Sequence, residues 1–200
     1  MSLLKSAWEI ALEKTENIEI DTDKIRRDNL IDEGRRMAGA YLGELDALLS
    51  TLESNFEKKS EIEKPLIKKG LALTVLANIA LPQGDDYQER VVKMQHIAAL
   101  IDKEEGESVE LLSQIGTFMG KYLDSRDNLL ERARAQYKPL FDQKKQQMEA
   151  QYGRATYSSM EQDPEFIGFL QKNYNQLSTQ FQQTLNNAKE QLKENWNIEK

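Results

Sequence analysis

Apolar residues recur along this chain at three- and four-residue intervals, the spacing that gathers side chains on one face of an α-helix. One stretch departs from that rhythm. Leu66 to Leu81, LIKKGLALTVLANIAL, is apolar nearly all round and stops at Pro82. Between Leu71 and Leu81 its polar side chains are Thr74 and Asn78. A helix without a solvated face is one enclosed by its neighbours, so the chain reads as a helical bundle built around this segment. Residues 71–81 are too few for a membrane span, which needs about twenty apolar residues, and Lys68 and Lys69 stand one turn inside the segment. Thr74 can bond the preceding backbone turn, whereas Asn78 is expected to reach another helix.

The other segments each carry one apolar stripe on a charged background. Leu3, Leu4, Ala7, Trp8, Ala11 and Leu12 make one face of a short helix over residues 3–15, expected to dock on the bundle. Its other face mixes Lys5, Glu9, Glu13 and Lys14, unlike the mainly basic face of a membrane-surface helix. Asp21-Thr22-Asp23 offers N-cap side chains to a long helix over about residues 22–57, with a stripe from Ile25 through Leu30, Met37, Tyr41, Leu45 and Leu52 to Phe56. Gly34, Gly39 and Gly43 lie inside it. Each costs about 1 kcal/mol relative to alanine, a cost that close approach of another helix would offset.

Ser60-Glu61-Ile62-Glu63 reads as a capping box, and Pro65 as a first-turn proline, ahead of the central helix. Gln83-Gly84-Asp85-Asp86 is the clearest turn, and the helix it opens, about residues 87–103, returns antiparallel to the central one. Ser108 caps another long helix, whose stripe runs from Val109 to Ala133 and on through Tyr137 and Phe141 to Tyr152. Pro139 within that stripe predicts a kink or break near Tyr137–Pro139. Residues 153–162 read as a loop. Asp163-Pro164-Glu165, a cap followed by a first-position proline and a first-turn acid, starts the last helix, which runs to about Trp196.

Composition agrees with long amphipathic helices: 39% hydrophobic, 30% charged, four Pro and ten Gly in 200 residues. A net charge of -7 repels phosphate backbones. The two denser basic segments are Lys24, Arg26, Arg27, Arg35 and Arg36, and Arg132, Arg134, Lys138, Lys144, Lys145 and Arg154. Both are interspersed with acids and read as salt-bridged solvated faces rather than a nucleic-acid surface. The absence of Cys removes disulfides, thiolate catalysis and zinc-thiolate sites, and fits a cytoplasmic protein. The N-terminus does not read as a signal peptide, because Glu9 and Glu13 break its apolar run.

Catalytic material is thin. His96 is the only histidine and has no evident nucleophile partner. Di-iron helical bundles need two Glu-x-x-His motifs, and none occurs. Nucleotide-binding and serine-nucleophile motifs are also missing, so no metal or cofactor is expected. Two GxxxG spacings, Gly39 with Gly43 and Gly116 with Gly120, are candidates for close helix–helix crossings, with each other or elsewhere, or for small residues wherever packing is tight. Tyr41, Asn78, His96 and Tyr122 are the polar residues that would line a pocket inside the bundle.

SAWEIALEKTE near the N-terminus and GLALTVLANIALP in the middle together resemble an uncharacterised family of bacterial all-helical proteins, over roughly the first half of the chain. The resemblance implies a bacterial cytoplasmic origin and brings no activity, ligand or site residue. The expected fold is all-α: an elongated antiparallel bundle of five or six helices, several of them long, with a C-terminal helical hairpin. Residues 1–106 would form the bundle around a central helix at 62–81. Residues 107–200 would form the hairpin, packed on the bundle or extending from it, with 1–200 as one continuous domain the alternative. The expected function is a non-enzymatic scaffold or protein–protein interaction module, with a protein partner, itself included, and neither nucleic acid nor membrane. Aromatics near segment ends, Trp8, Phe166, Phe169 and Trp196, would be docking points. The alternative is an enzyme or small-ligand binder with a pocket inside the bundle.

Overall fold

The computed structural model describes residues 21–44, 47–102, 106–153 and 159–198. The short helix expected over residues 3–15, with Trp8, lies outside them, as does Arg154. Among the described residues there are six α-helices and no strand: α1 (Thr22–Gly43), α2 (Leu49–Glu57), α3 (Lys64–Asn78), α4 (Tyr87–Ile101), α5 (Glu107–Tyr152) and α6 (Pro164–Asn195). A single 3-10 turn, Met160–Gln162, precedes α6.

α1 and α3 meet backbone on backbone. A Cβ added to Gly34 of α1 would lie 2.2 Å from the Ile67 carbonyl oxygen, and one added to Gly70 of α3 would lie 2.1 Å from that of Ile31. Only hydrogen fits at either position. This crossing lets α1 lie along the central helix, with Arg26 approaching Glu63 at 4.0 Å near the same end. On α3, Ile67, Leu71, Val75 and, just past its end, Ile79 are fully enclosed. Pro65, Lys69 and Ala77 are exposed, so the helix is enclosed on most of its circumference and meets solvent along one side.

The expected helix over residues 22–57 is two helices. α1 ends at Gly43, Glu44 is extended, and α2 begins at Leu49. The break turns the chain back, so that Lys59 pairs with Glu33 and both Leu52 and Phe56 are buried. A straight helix would carry those two side chains away from the core, and burying a Leu or Phe is worth about 2 kcal/mol. Gly43, a poor helix former, is a cheap place to stop. The central helix also ends earlier than expected, at Asn78, leaving residues 79–82 outside any helix before the turn into α4. Ser60 and Glu63 do meet ahead of it: the Ser60 hydroxyl donates to Glu63 Oε2 at 2.8 Å and the Ser60 amide to the same oxygen at 3.2 Å.

α4 runs back along α3, where Lys68 Nζ donates to the Ile101 carbonyl at 2.9 Å. α5 then runs back along α4, with Gly116 against Val91 and Gly120 against Tyr87. α6 returns along α5, stacking Phe181 on Phe118 with ring centroids 4.8 Å apart and Phe166 on Tyr137 at 5.3 Å. α5 does not break at Pro139. The carbonyl that Pro139 cannot serve belongs to Ala135, and both residues are exposed, so water can take the freed acceptor.

Two hydrophobic clusters result. The larger joins α1 to α4 with the first turns of α5 and the last turns of α6, including Leu112, Leu185 and Leu192. The smaller holds Ala133, Tyr137, Phe141 and Phe166, with Met160 and Leu170 against it. Arg126 still reaches the Gln83 carbonyl at 2.8 Å. Beyond it, the side-chain bonds of α5 to other described elements go to α6 and the 3-10 turn. The hairpin is therefore rooted in the bundle and continues past it as a two-helix arm.

Gly70→Ala should destabilise the protein by at least about 3 kcal/mol, because backbone atoms cannot move aside for the new methyl. Gly39→Ala, whose Cβ meets nothing within 4 Å, should instead stabilise it by up to about 1 kcal/mol. Urea unfolding midpoints of the two variants check the contrast.

Candidate functional site

The polar residues expected to share one pocket are dispersed. Tyr41 of α1 and His96 of α4 do meet, with Tyr41 Oη and His96 Nδ1 2.7 Å apart. Burial pushes the Tyr41 phenol above its ordinary value, helped by the nearby Glu53 charge. Lys93 sits over the Tyr41 ring at 5.9 Å and donates to the Glu44 carbonyl at 2.8 Å, closing the C-terminal end of α1. Asn78 does not reach another helix. Its Nδ2 donates to the Thr74 carbonyl one turn back at 2.8 Å, and Thr74 itself donates to Gly70 at 3.1 Å. The central helix so satisfies its own polar side chains, and their neighbours can remain apolar. Tyr122 belongs to the hairpin, 3.2 Å from Ser178 Oγ and edge-on to Phe181.

The two glycine pairs differ. Gly39 and Gly43 face open space and mark no crossing; they lie on the side of α1 away from α3. Gly116 and Gly120 face α4, where an added Cβ would come within 3.0 Å of a Val91 methyl and 2.9 Å of the Tyr87 hydroxyl. They do not meet the other pair. Of the aromatics expected at the surface, Phe166 is 1% exposed and sits in the arm's core, while Phe169 is 38% exposed.

The most developed polar constellation is one that residue-type scanning passed over. Asp163 caps α6, its Oδ1 accepting from the Glu165 amide at 3.0 Å. Its Oδ2 accepts from the Tyr137 hydroxyl at 2.7 Å and from Lys144 Nζ at 3.1 Å. Lys144 also donates to Tyr137 at 2.9 Å and pairs with Glu165 at 2.6 Å. Asp163 is 1% exposed. Burial alone would raise its pKa, but the bonds from Tyr137, Glu165 and Lys144 outweigh that and hold it below the usual aspartate range. Lys144 is pushed well above its ordinary value, chiefly by Glu165 and then by Tyr137. Three donors from α5 and α6 hold this buried carboxylate, so it locks the arm. The cap was legible in Asp163-Pro164-Glu165; the signal for its partners was Tyr137 and Lys144, seven residues apart and hence on one helix face.

A second constellation closes the other end of the hairpin. Asp102 Oδ1 accepts from Trp196 Nε1 at 3.0 Å, and its Oδ2 accepts from the Ser108 amide at 3.2 Å, capping α5. Ser108 itself is buried with its hydroxyl unpaired, so it does not cap the helix as expected. A cavity of about 620 Å³ opens here among Lys68, Lys69, Asp102, Glu107 and Trp196. Among the described residues, no group of three or more His, Asp or Glu side chains could hold a metal ion.

The fold defines a class: an all-α bundle extended by a long C-terminal helical hairpin. A family of unknown function, DUF6657, matches residues 53–194, and the chain belongs to that family. The matched region contains GLALTVLANIALP and the hairpin up to residue 194, so the likeness reaches well past the first half, while SAWEIALEKTE lies outside it. Neither a curated protein nor a solved structure matches.

Asp163→Ala should destabilise the arm by about 2–3 kcal/mol through the lost cap and a buried Tyr137 hydroxyl left without an acceptor. Because the folded pKa of Asp163 is depressed, its stabilisation is present above the usual aspartate value near 4 and is lost as pH falls through the lower folded value. Acid titration of tyrosine near-UV circular dichroism should show that loss in the wild type and not in Asp163→Asn. Ser108→Ala removes an unsatisfied buried hydroxyl and should leave the melting temperature unchanged or raised.

Proposed function

We propose that the protein is a non-enzymatic helical scaffold that associates with a second copy of itself through the α5–α6 arm. The observation that carries this is the arm's length and surface. α5 has 46 residues, and its continuation past the bundle is covered by α6 on one side alone. Leu140 at 44% and Ile167 at 51% exposure stand on it, as do Phe169 and, farther along α5, Tyr152. Two helices cannot enclose all of their apolar stripes, and pairing of hairpins into four-helix bundles is the common remedy. Asp163 and Tyr41, both buried, and the half-buried Asp102 are bound to structural partners, which supports the same reading. The cysteine-free composition supports a reducing, cytoplasmic setting, and no helix among the described residues is long and apolar enough to cross a membrane.

A ligand-binding reading has one observation in its favour, the 620 Å³ cavity at the root of the hairpin with lysines and carboxylates on its walls. It lies between the ends of α3, α4, α5 and α6 rather than inside the bundle.

Light scattering on the full chain should give a dimer mass as concentration rises through about 10–100 µM, a range set by micromolar affinity. Leu140→Glu with Ile167→Glu should hold it monomeric without lowering its melting temperature. A wild type that stays monomeric, or a dimer indifferent to both substitutions, contradicts the reading.

A further inference from the structure

Two cavities open along the α5–α6 hairpin, one of about 390 Å³ near its root and one of about 430 Å³ farther along the arm. They lie on one face. Leu111, Phe118, Ser125 and Arg132 of α5 recur every seven residues, as do Gln114, Lys121 and Asn128, and each of them lines one cavity or the other. Seven residues are almost two full helical turns, so these side chains form a single stripe. The stripe looks away from the bundle: Gly116 and Gly120 face α4, and Gln114 and Phe118, two positions before each, point the opposite way. α6 supplies the other wall, with Thr184 and Ala188 near the root and Phe169 and Asn173 along the arm. From Leu111 to Gln136 the groove is about 38 Å long, and it stops one turn short of Leu140. Its floor is apolar, through Ile115, Phe118, Leu129, Leu177 and Leu185.

The charge around the groove is one-sided. Among the described lining residues of the two cavities there is no Asp or Glu, in a chain with 34 acids; Glu107 and Glu110 stand past the root end. Each cavity has one cation, Lys121 in the first and Arg132 in the second. Arg126, Arg134, Lys138 and Lys144 of the same helix each pair with an acid, whereas Lys121 and Arg132 have no ion pair or hydrogen bond among the described residues. Eleven positions separate the two, close to three full turns, so they share a face about 16 Å apart.

We propose that the groove binds an amphipathic helix of another protein, one whose apolar stripe is flanked by acids. The length, the apolar floor and the seven-residue repeat are those of a pair of helices ready to take a third. The unpaired cations set what that third helix carries: acids about three turns apart, within reach of Lys121 and Arg132. A second copy of this chain turning the same face inward would gather the cations of both copies with no acid between them. A nucleic acid would find two cations over about 38 Å, where binding through phosphates takes several, and would leave the apolar floor uncovered. The docking does not depend on self-association through Leu140 and Ile167.

The probe is a fluorescein-labelled peptide of about 25 residues, long enough to span the groove, with Ile and Leu at the a and d positions of its heptads and Glu at e and g. A twin with Lys in place of Glu is its control. The chain carries a net charge of -7, so non-specific attraction favours the lysine peptide. By fluorescence anisotropy on the full chain, the glutamate peptide should nevertheless bind at least about tenfold more tightly, a margin that narrows with added salt. Lys121→Glu with Arg132→Glu should reverse the order of the two peptides while the helical circular dichroism is retained. Lys138→Glu with Lys145→Glu, the same change of charge on the opposite side of α5, should not. No binding of the glutamate peptide, or an order that survives Lys121→Glu with Arg132→Glu, overturns the proposal. Loss of a dimer mass in light scattering with that variant overturns it as well and gives the groove to a second copy. Tighter binding of a DNA duplex of about 20 base pairs than of the glutamate peptide overturns it in favour of nucleic acid.

Discussion

The bundle depends on one place where two backbones touch. Gly34 and Gly70 bring α1 and α3 so close that a methyl group at either would meet a carbonyl oxygen at 2.1–2.2 Å. Such a contact sets a separation that larger side chains cannot alter, because neither backbone can rotate out of the way. With α1 fixed on α3, Ala38 is fully enclosed and Tyr41 is carried to His96 on α4. α2 is folded back by the ion pair of Lys59 with Glu33, on the same helix and one residue from Gly34. The enclosed face of α3 then has a wall on every side, which is why it tolerates so little polarity and why its Thr74 and Asn78 turn inward to their own backbone.

The arm is built on a different principle. Its apolar cluster is small, four buried residues with two at the margin, and could not by itself hold two helices together. A buried carboxylate does much of the work. Asp163 at once caps α6, accepts from Tyr137 and Lys144 on α5, and fixes where the returning helix starts. A charge so buried stabilises only while its partners remain, so the lock is cooperative within the arm and silent in the bundle. The two clusters are joined through the continuous α5, which passes Pro139 without breaking.

The fold class was legible because most elements announce themselves in periodicity and some also in caps. Asp21, Ser60 with Glu63, and Asp163 all act at helix starts. The misread places share a cause: local signals cannot report which partner an element will find. The stripe from Ile25 to Phe56 is continuous, yet burying Leu52 and Phe56 required a break that only the position of α3 makes necessary. GxxxG spacing drew attention to Gly39 and Gly43, whereas the decisive glycines, Gly34 and Gly70, have no such partner at four residues and lie on different helices. Tyr41 with His96 was the one legible pair of the pocket expectation. Asn78 and Tyr122 were assigned to it by polarity alone, and each found a nearer partner.

The bundle is held by close backbone packing and the arm by a buried carboxylate, so the two should open separately. Native-state hydrogen exchange, followed peptide by peptide, tests that division most directly. The account predicts that amides around Gly70 to Val75 exchange only through global unfolding. Those of the α5 segment after Arg126 and of the first turns of α6 should open together at lower free energy, and more readily as pH falls below the aspartate range. Arm and α3 amides exchanging at one common free energy at every pH would contradict it.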